Sequence, residues 1–370
     1  MENVLFLQSE VNDPFAIYLD RLAAQPVVWD SLNRIWAVYR HVDCRRLLKC
    51  TSAYIPELGS AGQANLGETA RGVTCRLARL ANPPMHAALR QAATGLFSQL
   101  QVAAIEPLMA RLLGTTQEID WVDSVCRKLP ALAFMKGMGF PETDIETLLP
   151  LTERITQVML PNKSPQQAAD IDTAMAQVYP LVHRHITHSD TLRRQAADES
   201  ELEIMVSNLI GMLIQSVDAG RGLLSNTMLQ ALNQPYALAL GDWPSLVVET
   251  LRFDPPIHNT RRTLTQELEL SGVLLQVGQP VLLVLAAANR DPSVFAQASQ
   301  FDPARPNNAD HLAFGAGMHQ CIAKHFSVEL TARSLALLFQ SRKVHLLSQQ
   351  INYSPLINAR LPCQIMLALK

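Results

Sequence analysis

The apolar positions of the chain recur mainly at helical spacing, with a few short segments that favour strands. Apolar residues three and four positions apart are typical of helices with one buried face. We predict helices over 14–22, 42–48, 85–97, 100–117, 121–138, 142–160, 166–188, 201–233, 242–252 and 322–340. We predict strands over 27–29, 35–38, 267–275, 280–287, 344–347 and 364–369. This order indicates a mainly α fold with a minor β portion, in a single interlocked domain over residues 1–370, and not an alternating βαβ array.

The longest helical pattern, 201–233, is apolar on nearly every side, which is typical of a buried central helix. Asn208, Gln215 and Asp218 interrupt it, so we do not expect it to span a membrane. Segment 51–80 is rich in glycine and polar residues and has little periodicity. We therefore predict a long loop there, of the kind that often serves as a functional lid.

Composition narrows the class of protein. Of 370 residues, 48% are apolar and 17% are charged, which indicates a globular protein with a large core. The net charge of −2 gives no reason to expect nucleic-acid binding. The six cysteines are scattered, which fits a reducing compartment. The N-terminus has no basic flank and no cleavage-type site, so we expect a soluble cytoplasmic protein with no membrane association.

Cys321 ends the sequence FGAGMHQC, residues 314–321, just before the last long helical pattern. Backbone N–H groups and the helix dipole stabilise a thiolate in such a place. Glycines let the backbone turn tightly and lie close to a flat partner. A thiolate held in this way can be the axial ligand of haem iron. A buried apolar thiol would be the alternative for an isolated cysteine, but the surrounding loop favours the ligand.

This stretch resembles the haem-binding loop of the cytochrome P-450 family, whose pattern is Phe-Gly-x-Gly-x-His-x-Cys-x-Gly. The chain departs from it only at Ala323, which stands for the last glycine. The resemblance extends from about residue 14 to residue 369. It implies the cytochrome P-450 fold, with a long buried central helix over one haem b. It also implies that Cys321 is the ligand of the iron and that Phe314 and Gly315 contact the cofactor.

The resemblance assigns four basic groups to the haem propionates. His86 and Arg90 lie four positions apart, on one face of a predicted helix, and match the family's His-x-x-x-Arg. Arg262 matches the arginine that enters the strand after a Pro-Pro turn. His319, two residues before the cysteine, matches the fourth contact.

Glu249 and Arg252 lie three positions apart, on one face of a predicted helix. Alone, such a pair is usually a solvated ion pair worth a few tenths of a kcal/mol. In the resembled family, this pair and a downstream arginine form a buried network behind the haem, and Arg305 matches the third position. We predict a structural role for all three residues, in support of the cysteine loop.

The midpoint of the central helix departs from the family pattern, Ala/Gly-Gly-x-Asp/Glu-Thr. The sequence here is Gln215-Ser216-Val217-Asp218-Ala219. The resemblance implies that Asp218 is the acid that moves protons and that Ala219 replaces the usual threonine. Ser216, Gln215, an ordered water or a substrate hydroxyl could replace the missing hydroxyl. Alternatively, Gln215 and Ser216 are a polar pair that bends the helix.

The activity implied by the resemblance is that of a haem-thiolate monooxygenase. It would insert one oxygen atom from O2 into a largely apolar organic substrate, with electrons from NAD(P)H through a separate ferredoxin and ferredoxin reductase. We expect a tailoring hydroxylation in polyketide or peptide-derived natural-product biosynthesis, on a small molecule that could be carrier-bound. A peroxide-using or non-oxidative haem-thiolate enzyme and a redox-inactive haem or ligand-binding protein stay open.

Substrate contacts can be placed only by region, again from the resemblance. The regions are 55–80, 160–185, 215–219, 257–260 and 354–358. Their side chains indicate a largely apolar pocket, to which His258 and Asn259 could add polar contacts.

Two further clusters carry weaker signals. His183, His185 and His188 do not share one helix face, and we predict no metal site there. The basic residues Arg45, Arg46, Lys49 and Lys324 could form a partner-docking face or an ordinary solvated surface.

Overall fold

The computed structural model describes residues 3–58, 65–102 and 104–370. Its described residues form two compact units. The sheet unit comprises Met1–Pro56, Ile105–Arg127 and Asp218–Lys370, and the helical unit comprises Glu57–Ala104 and Lys128–Val217. The single domain expected from the sequence stays a prediction.

The sheet unit combines β-sheets with helices that cover them. Its helical segments are Pro14–Ala24, His41–Lys49, Ile105–Leu113, Val122–Cys126, Pro235–Ala239, Trp243–Phe253, Leu285–Ala288, Asn308–Asp310, Gly317–His319 and Lys324–Ser341. Its strands are Val27–Asp30, Ile35–Val38, Ala53–Tyr54, Glu118–Asp120, Thr260–Leu264, Leu268–Leu270, Val273–Leu275, Pro280–Leu283, Val344–Leu346 and Met366–Leu369.

The largest sheet of this unit has its apolar strand near the middle. The strand order is 27–30, 35–38, 280–283, 260–264 and 53–54. Pro280–Leu283 runs parallel to Ile35–Val38 and antiparallel to Thr260–Leu264, so both of its edges are paired. Its last three residues are buried, as expected of an apolar run that is covered on both faces. Core residues from this strand pack with Leu47 of the helix His41–Lys49.

The helical unit is built from helices. Its helical segments are Glu68–Cys75, His86–Phe97, Leu129–Gly137, Glu142–Leu148, Leu149–Leu151, Thr152–Thr156, Gln157–Met159, Pro165–His188 and Asp190–Arg193. The central helix, Glu199–Asn233, contributes its residues up to Val217 to this unit and the remainder to the sheet unit.

The first half of the central helix is buried. The buried side chain of Asn208 in this half forms hydrogen bonds to another segment. Asn208 accepts a hydrogen bond from the Ala78 N–H at 3.0 Å and donates to the Arg76 carbonyl at 2.9 Å. At Gly211 a Cβ atom would lie 2.5 Å from the side chain of Leu77, so the small residue permits close packing of this segment on the helix. Two thirds (67%) of the most apolar window of this helix is buried inside the protein, although its length and composition would suit a membrane span. The buried central helix predicted from the sequence is therefore present.

The mainly α fold with a minor β portion is confirmed, and the differences from the predicted elements have local causes. The loop predicted over 51–80 contains a strand, Ala53–Tyr54, and a helix, Glu68–Cys75; residues 59–64 of that prediction lie outside the described residues. The helix predicted over 142–160 is interrupted by 3₁₀ turns, one of which holds Pro150, a residue without an N–H to donate. The strand predicted over 280–287 ends at Leu283, and Leu285–Ala288 is helical.

Candidate functional site

The backbone of the cysteine loop, residues 312–323, is shaped by two glycines. Gly315 and Gly317 have φ angles of 66° and 69°, in the left-handed region that favours glycine. The Gly315 N–H donates to the Leu312 carbonyl at 2.8 Å, and the Cys321 N–H donates to the Phe314 carbonyl at 2.9 Å. The second bond closes the loop on itself and fixes the place from which the half-buried Cys321 side chain projects.

The close approach of a neighbouring helix also requires a residue without a side chain at position 317. A Cβ atom there would lie 2.5 Å from the carbonyl oxygen of Leu48 and 3.0 Å from the Cα atom of Lys49. The cysteine loop therefore lies directly against the C-terminal end of the helix His41–Lys49, with no space for a side chain between them.

The backbone conformation at Ala323, where the family pattern has glycine, does not require a glycine in this chain. Ala323 precedes the helix Lys324–Ser341 with φ −91° and ψ 11°, angles that an L-residue adopts without strain. Cys321 lies three residues before the first helical residue, near the positive end of the helix dipole.

A buried ion pair stands at the centre of the predicted support network. Arg252 Nε donates to Glu249 Oε2 at 2.9 Å, and Arg252 Nη2 donates to Glu249 Oε1 at 2.6 Å. Both side chains are 0% exposed. Bidentate geometry of this kind gives the strongest guanidinium–carboxylate contacts. The alternative of a solvated surface pair does not describe this arrangement.

The other guanidinium donors of Arg252, and those of Arg305, bind backbone carbonyls of segment 289–300. Arg252 donates to Asn289, Ala298 and Gln300 at 2.8 to 3.1 Å. Arg305 Nε lies 3.5 Å from Glu249 Oε1, and Arg305 Nη2 donates to the Gln300 carbonyl at 3.1 Å. The structure thus brings together the three residues that the sequence assigned to one network.

Asn289 connects this network to the cysteine loop. Its Nδ2 donates to the Leu251 carbonyl at 3.2 Å, and its Oδ1 accepts from the Leu312 N–H at 2.6 Å. Leu312 begins the turn that contains Gly315. The sequence analysis missed Asn289, because nothing in the local pattern indicates which backbone group a buried asparagine will bind.

Arg262 is buried in the strand Thr260–Leu264, and it has no ionic partner among the residues that the structure describes. Its Nη1 donates to the Arg261 carbonyl at 2.7 Å and to Thr260 Oγ1 at 3.3 Å. In the described part of the chain, no carboxylate lies within 4.0 Å of its guanidinium. Burial lowers the pKa of Arg262 to about 10. A buried cation without a counter-ion suits an anionic ligand group, because such a charge is costly to leave unpaired.

The other predicted propionate ligands divide between the two units. His319 ends the turn Gly317–His319 in the sheet unit and is half-buried. His86 and Arg90 lie in the helical unit, one turn apart on the helix His86–Phe97. Burial and the nearby charge of Arg90 lower the pKa of His86, which favours its neutral form near pH 7.

The polar residues at the midpoint of the central helix bond back to the helix itself. Gln215 Nε2 donates to the Gly211 carbonyl at 2.9 Å, and Ser216 Oγ donates to the Leu213 carbonyl at 2.7 Å. These bonds are those expected of a helix-bending polar pair. Asp218 and Ala219 are both half-buried. One turn after Asp218, Arg221 Nη2 donates to Ser354 Oγ at 3.2 Å and to the Pro362 carbonyl at 2.9 Å.

The residues after the Pro-Pro turn face inward. His258 is fully buried, and its Nδ1 lies 3.1 Å from the hydroxyl of Tyr18. Burial and two nearby arginines hold the pKa of His258 well below its usual range, so the imidazole is neutral. Asn259 Nδ2 donates to the Ile357 carbonyl at 2.9 Å. These two polar groups are therefore used to bind the protein's own segments.

The histidine cluster on the helix Pro165–His188 is engaged in local contacts. His185 stacks on Phe140 with ring centroids 3.8 Å apart, and its Nε2 lies 3.1 Å from the Met138 carbonyl. His188 Nδ1 lies 2.9 Å from the Arg184 carbonyl. Within residues 3–58, 65–102 and 104–370, no group of three or more His, Cys, Asp or Glu side chains is arranged to hold a metal ion.

The basic residues near the cysteine loop are largely solvent-exposed. Arg45, Arg46 and Lys49 lie on the helix whose end contacts Gly317, and all three are exposed. Arg46 Nη1 donates to the Glu269 carbonyl at 2.7 Å, and Lys324 is half-buried. Both interpretations of this cluster, a docking face and a solvated surface, fit this exposure.

Comparison with known proteins finds a family match over part of the chain. A family model described as Cytochrome P450 matches residues 244–355, the segment that holds the ion-pair network and the cysteine loop. A cytochrome P450 140 of Mycobacterium tuberculosis is 29% identical over 267 residues, or 65% of this chain and 61% of the relative. The match thus spans less than two thirds of that relative's length.

Other relatives match over more of their length. The biotin biosynthesis cytochrome P450 of Bacillus subtilis is 28% identical over 302 residues, 75% of this chain and 76% of the relative. The cyclomarin C epoxidase of Salinispora arenicola is 26% identical over 322 residues, 80% of each chain. Among solved structures, P450BioI in complex with a hexadec-9Z-enoic acid ligated acyl carrier protein has a TM-score of 0.82 at 22% identity, covering 97% of this chain and 99% of that chain.

Residues 244–355 thus match the Cytochrome P450 family model, and the fold of the chain is the cytochrome P450 fold. The cytochrome P450 fold implies a haem group. The residues present fit such a group, because Arg262 is a buried cation with no anionic partner among the described residues and Cys321 ends a loop that a helix N-terminus follows.

Proposed function

We propose that this protein is a haem-thiolate monooxygenase that inserts one oxygen atom from O2 into a largely apolar organic substrate. The observation that carries the proposal is the geometry of the cysteine loop. Two glycines adopt left-handed backbone conformations, and the Cys321 N–H donates to the Phe314 carbonyl. Together they hold the Cys321 thiol at a fixed place before a helix. A thiolate so placed is suited to ligate iron.

The residues that would hold haem b are the ones reported above. Cys321 would ligate the iron, Arg262, His319, His86 and Arg90 would bind the propionates, and Phe314 and Gly315 would contact the ring. When bound, the haem supplies the electron transfer and oxygen activation that amino-acid side chains lack. The chain's own contribution is to bind and orient the cofactor and substrate, to exclude water and to move protons.

Proton movement is assigned to Asp218. It is the only carboxylate of the central helix after Glu203. Its half-buried position lets it exchange protons with water. Ala219 offers no hydroxyl beside it, so an ordered water or a hydroxyl of the substrate would complete the path. Ser216 is less suited to that role, because its hydroxyl donates its proton to the Leu213 carbonyl.

Electrons would come from NAD(P)H through a ferredoxin and a ferredoxin reductase in the cytoplasm. The exposed basic side chains Arg45, Arg46 and Lys49 support docking of an acidic electron carrier, since they stand on the helix that contacts the cysteine loop.

The substrate class we propose is an intermediate of polyketide or peptide-derived natural-product biosynthesis. A relative named cyclomarin C epoxidase supports a tailoring role. The structural neighbour with an acyl carrier protein supports a substrate that arrives on a carrier. A second candidate, a haem-thiolate enzyme that uses peroxide or rearranges its substrate, is favoured by the missing hydroxyl at Ala219.

The deciding experiment has two stages. The reduced carbon-monoxide complex should give the spectrum of a thiolate-ligated haem, and a ligand library should then be screened for displacement of the iron-bound water. The selected ligand is incubated with NADPH, ferredoxin and reductase, or with hydrogen peroxide alone. Product from the reductase system alone supports the monooxygenase, and product from peroxide alone supports the second candidate. No product from either, despite bound ligand, would identify a redox-inactive binding protein.

A further inference from the structure

The segment 353–361 is held in place by the chain's N-terminal segment, residues 4–12, through contacts that all lie within the sheet unit. The Gln8 N–H donates to the Leu356 carbonyl at 2.8 Å. This carbonyl belongs to the tip of the segment, 354–358, which is one of the proposed substrate-contact regions. A backbone bond from a segment more than 300 positions away thus reaches the tip directly.

Arg360 makes the second connection. Its guanidinium donates to the carbonyl oxygens of Gln8, Val11 and Asn12 at 3.1, 3.2 and 2.9 Å. The same group lies 3.5 Å over the ring of Tyr353, at the other end of the segment. Arg360 is only 6% exposed. One planar cation therefore joins three carbonyls of the N-terminal segment to the base of the loop, a role that suits the fixed donor geometry of arginine.

A chain of side-chain contacts also joins Gln8 to the tip of the segment. Gln8 Nε2 donates to the Tyr18 hydroxyl at 3.1 Å, and this hydroxyl lies 3.1 Å from His258 Nδ1. The His258 N–H donates to the Asn358 carbonyl at 2.8 Å. The tip is thus bonded at Leu356 by Gln8 and at Asn358 by His258, with Tyr18 linking the two.

The side chains that form these hydrogen bonds are buried. Gln8, Tyr18 and His258 are 1%, 3% and 0% exposed. Hydrogen bonds inside a low-dielectric core are costly to break, because the freed groups cannot turn to water. The tip itself is only partly buried at Leu356 and Ile357 and offers apolar side chains.

We propose that Gln8, Tyr18, His258 and Arg360 form a latch that positions the 354–358 tip for the substrate, and that Arg360 and Tyr18 are therefore specificity-determining positioning residues. This inference rests on the proposed function and on the family resemblance, which places the tip among the predicted substrate-contact regions. The latch sets how closely Leu356 and Ile357 pack on a bulky ligand, and it leaves the ligation of the cofactor unaffected.

The test uses the haem-loaded full chain and two variants. Tyr18→Phe removes one hydroxyl and keeps the ring that packs on Phe15. Arg360→Met keeps the length of the side chain and removes its donors. The control is Arg194→Met, because Arg194 is an exposed arginine of the helical unit. Hydrogen exchange of the 353–361 peptide should quicken roughly three- to tenfold in both latch variants, as expected for the loss of one or two hydrogen bonds.

The second readout connects the latch to the site. Dissociation constants are measured optically for imidazole, a small probe of the iron, and for 4-phenylimidazole, a bulky one. The ratio of the bulky to the small constant should rise roughly three- to tenfold in both latch variants and stay unchanged in Arg194→Met. A merely structural role would lower thermal stability without moving this ratio.

The inference is overturned if exchange of 353–361 is unchanged in both variants, or if exchange quickens while the probe ratio stays at the parent value. A parent chain that binds neither probe would instead contradict the proposed function. The exchange comparison would still decide in that case whether the latch holds the segment.

Discussion

Arg252 Nη2 lies 2.6 Å from Glu249 Oε1 in the core of the sheet unit, and neither side chain is exposed to solvent. The pair occupies one helix face, three positions apart, and binds the carbonyls of segment 289–300. Through Asn289 it reaches Leu312, where the cysteine loop begins. The ion pair is therefore placed to hold the loop.

Replacing either partner of this pair should make the protein lose its haem. In Glu249→Ala or Arg252→Ala, the remaining charge is buried without its partner, which costs about 3–5 kcal/mol. Haem content per protein and the denaturant midpoint are the measurements. The matched control is Arg333→Ala, which removes solvent-exposed ion pairs with Glu329 and Glu106 and should cost less than about 1 kcal/mol. Full haem content in both core variants would show that the pair does not support the loop.

Cys321→Ser should abolish the thiolate spectrum of the reduced carbon-monoxide complex and all oxygenation. A serine hydroxyl stays protonated near neutral pH and is a poor ligand for iron in place of a thiolate. The matched control is Cys363→Ser, at an exposed thiol whose Sγ lies 3.7 Å from Ser354 Oγ. A mutant at position 321 that keeps the parent spectrum would mean that a different cysteine is the ligand.

Asp218→Asn keeps the shape of the side chain and removes its ionisable proton. Oxygenation driven by reductase should slow by about 10²–10⁴, the effect typical of losing a positioned acid–base group, while ligand binding should hardly change. The rate is measured in a single turnover in H2O and D2O, with the ligand selected by the optical screen. Asp170→Asn, at an exposed carboxylate of the helix Pro165–His188, is the control. Product formation at the parent rate would exclude Asp218 from the proton path.

Ala219→Thr restores the hydroxyl that the family usually has beside the acid. Position 219 is half-buried within a helix, and threonine costs only a few tenths of a kcal/mol of helix propensity there, so the variant should fold. If the native enzyme borrows a hydroxyl from its substrate, the added side chain should not accelerate the reductase-driven reaction. A rate increase of tenfold or more would instead show that the missing hydroxyl limits turnover in the parent.

Stability should fall as the solution is acidified from about pH 6.5 towards pH 4. Burial, followed by the charge of Arg252, lowers the pKa of His311 from 6.5 to about 4. In this window the unfolded chain binds a proton at His311 that the folded chain does not bind. The free energy of unfolding therefore decreases by up to about 1.4 kcal/mol per pH unit from this residue.

The contribution of His311 can be isolated with His311→Gln, whose side-chain oxygen can still accept from the Ala313 N–H, as His311 Nδ1 does at 3.1 Å. Denaturant titrations between pH 7 and 4.5 should give a shallower decline for the variant than for the parent. His258 acts in the same direction in both proteins, because burial also lowers its pKa, so the difference between the two curves reports His311. Parallel curves would contradict the assignment.

The sequence alone determined much of the local architecture. The apolar spacing of 201–233 predicted the buried central helix, which the structure has as Glu199–Asn233. Gly315 and Gly317 predicted a tight turn before Cys321, and both have positive φ angles. These features could be predicted because periodicity and glycine conformation depend on neighbouring residues in the chain.

Only the tertiary structure decided which distant groups meet. Nothing local to Asn289 indicates that its amide accepts from Leu312, and nothing near Tyr18 indicates a hydrogen bond to His258, 240 positions away. The helix predicted over 142–160 was likewise divided by packing and by a proline at position 150. Side-chain pairing of this kind depends on how the segments pack. A buried polar group has lost its hydrogen bonds to water, so it binds a partner that the fold brings within reach.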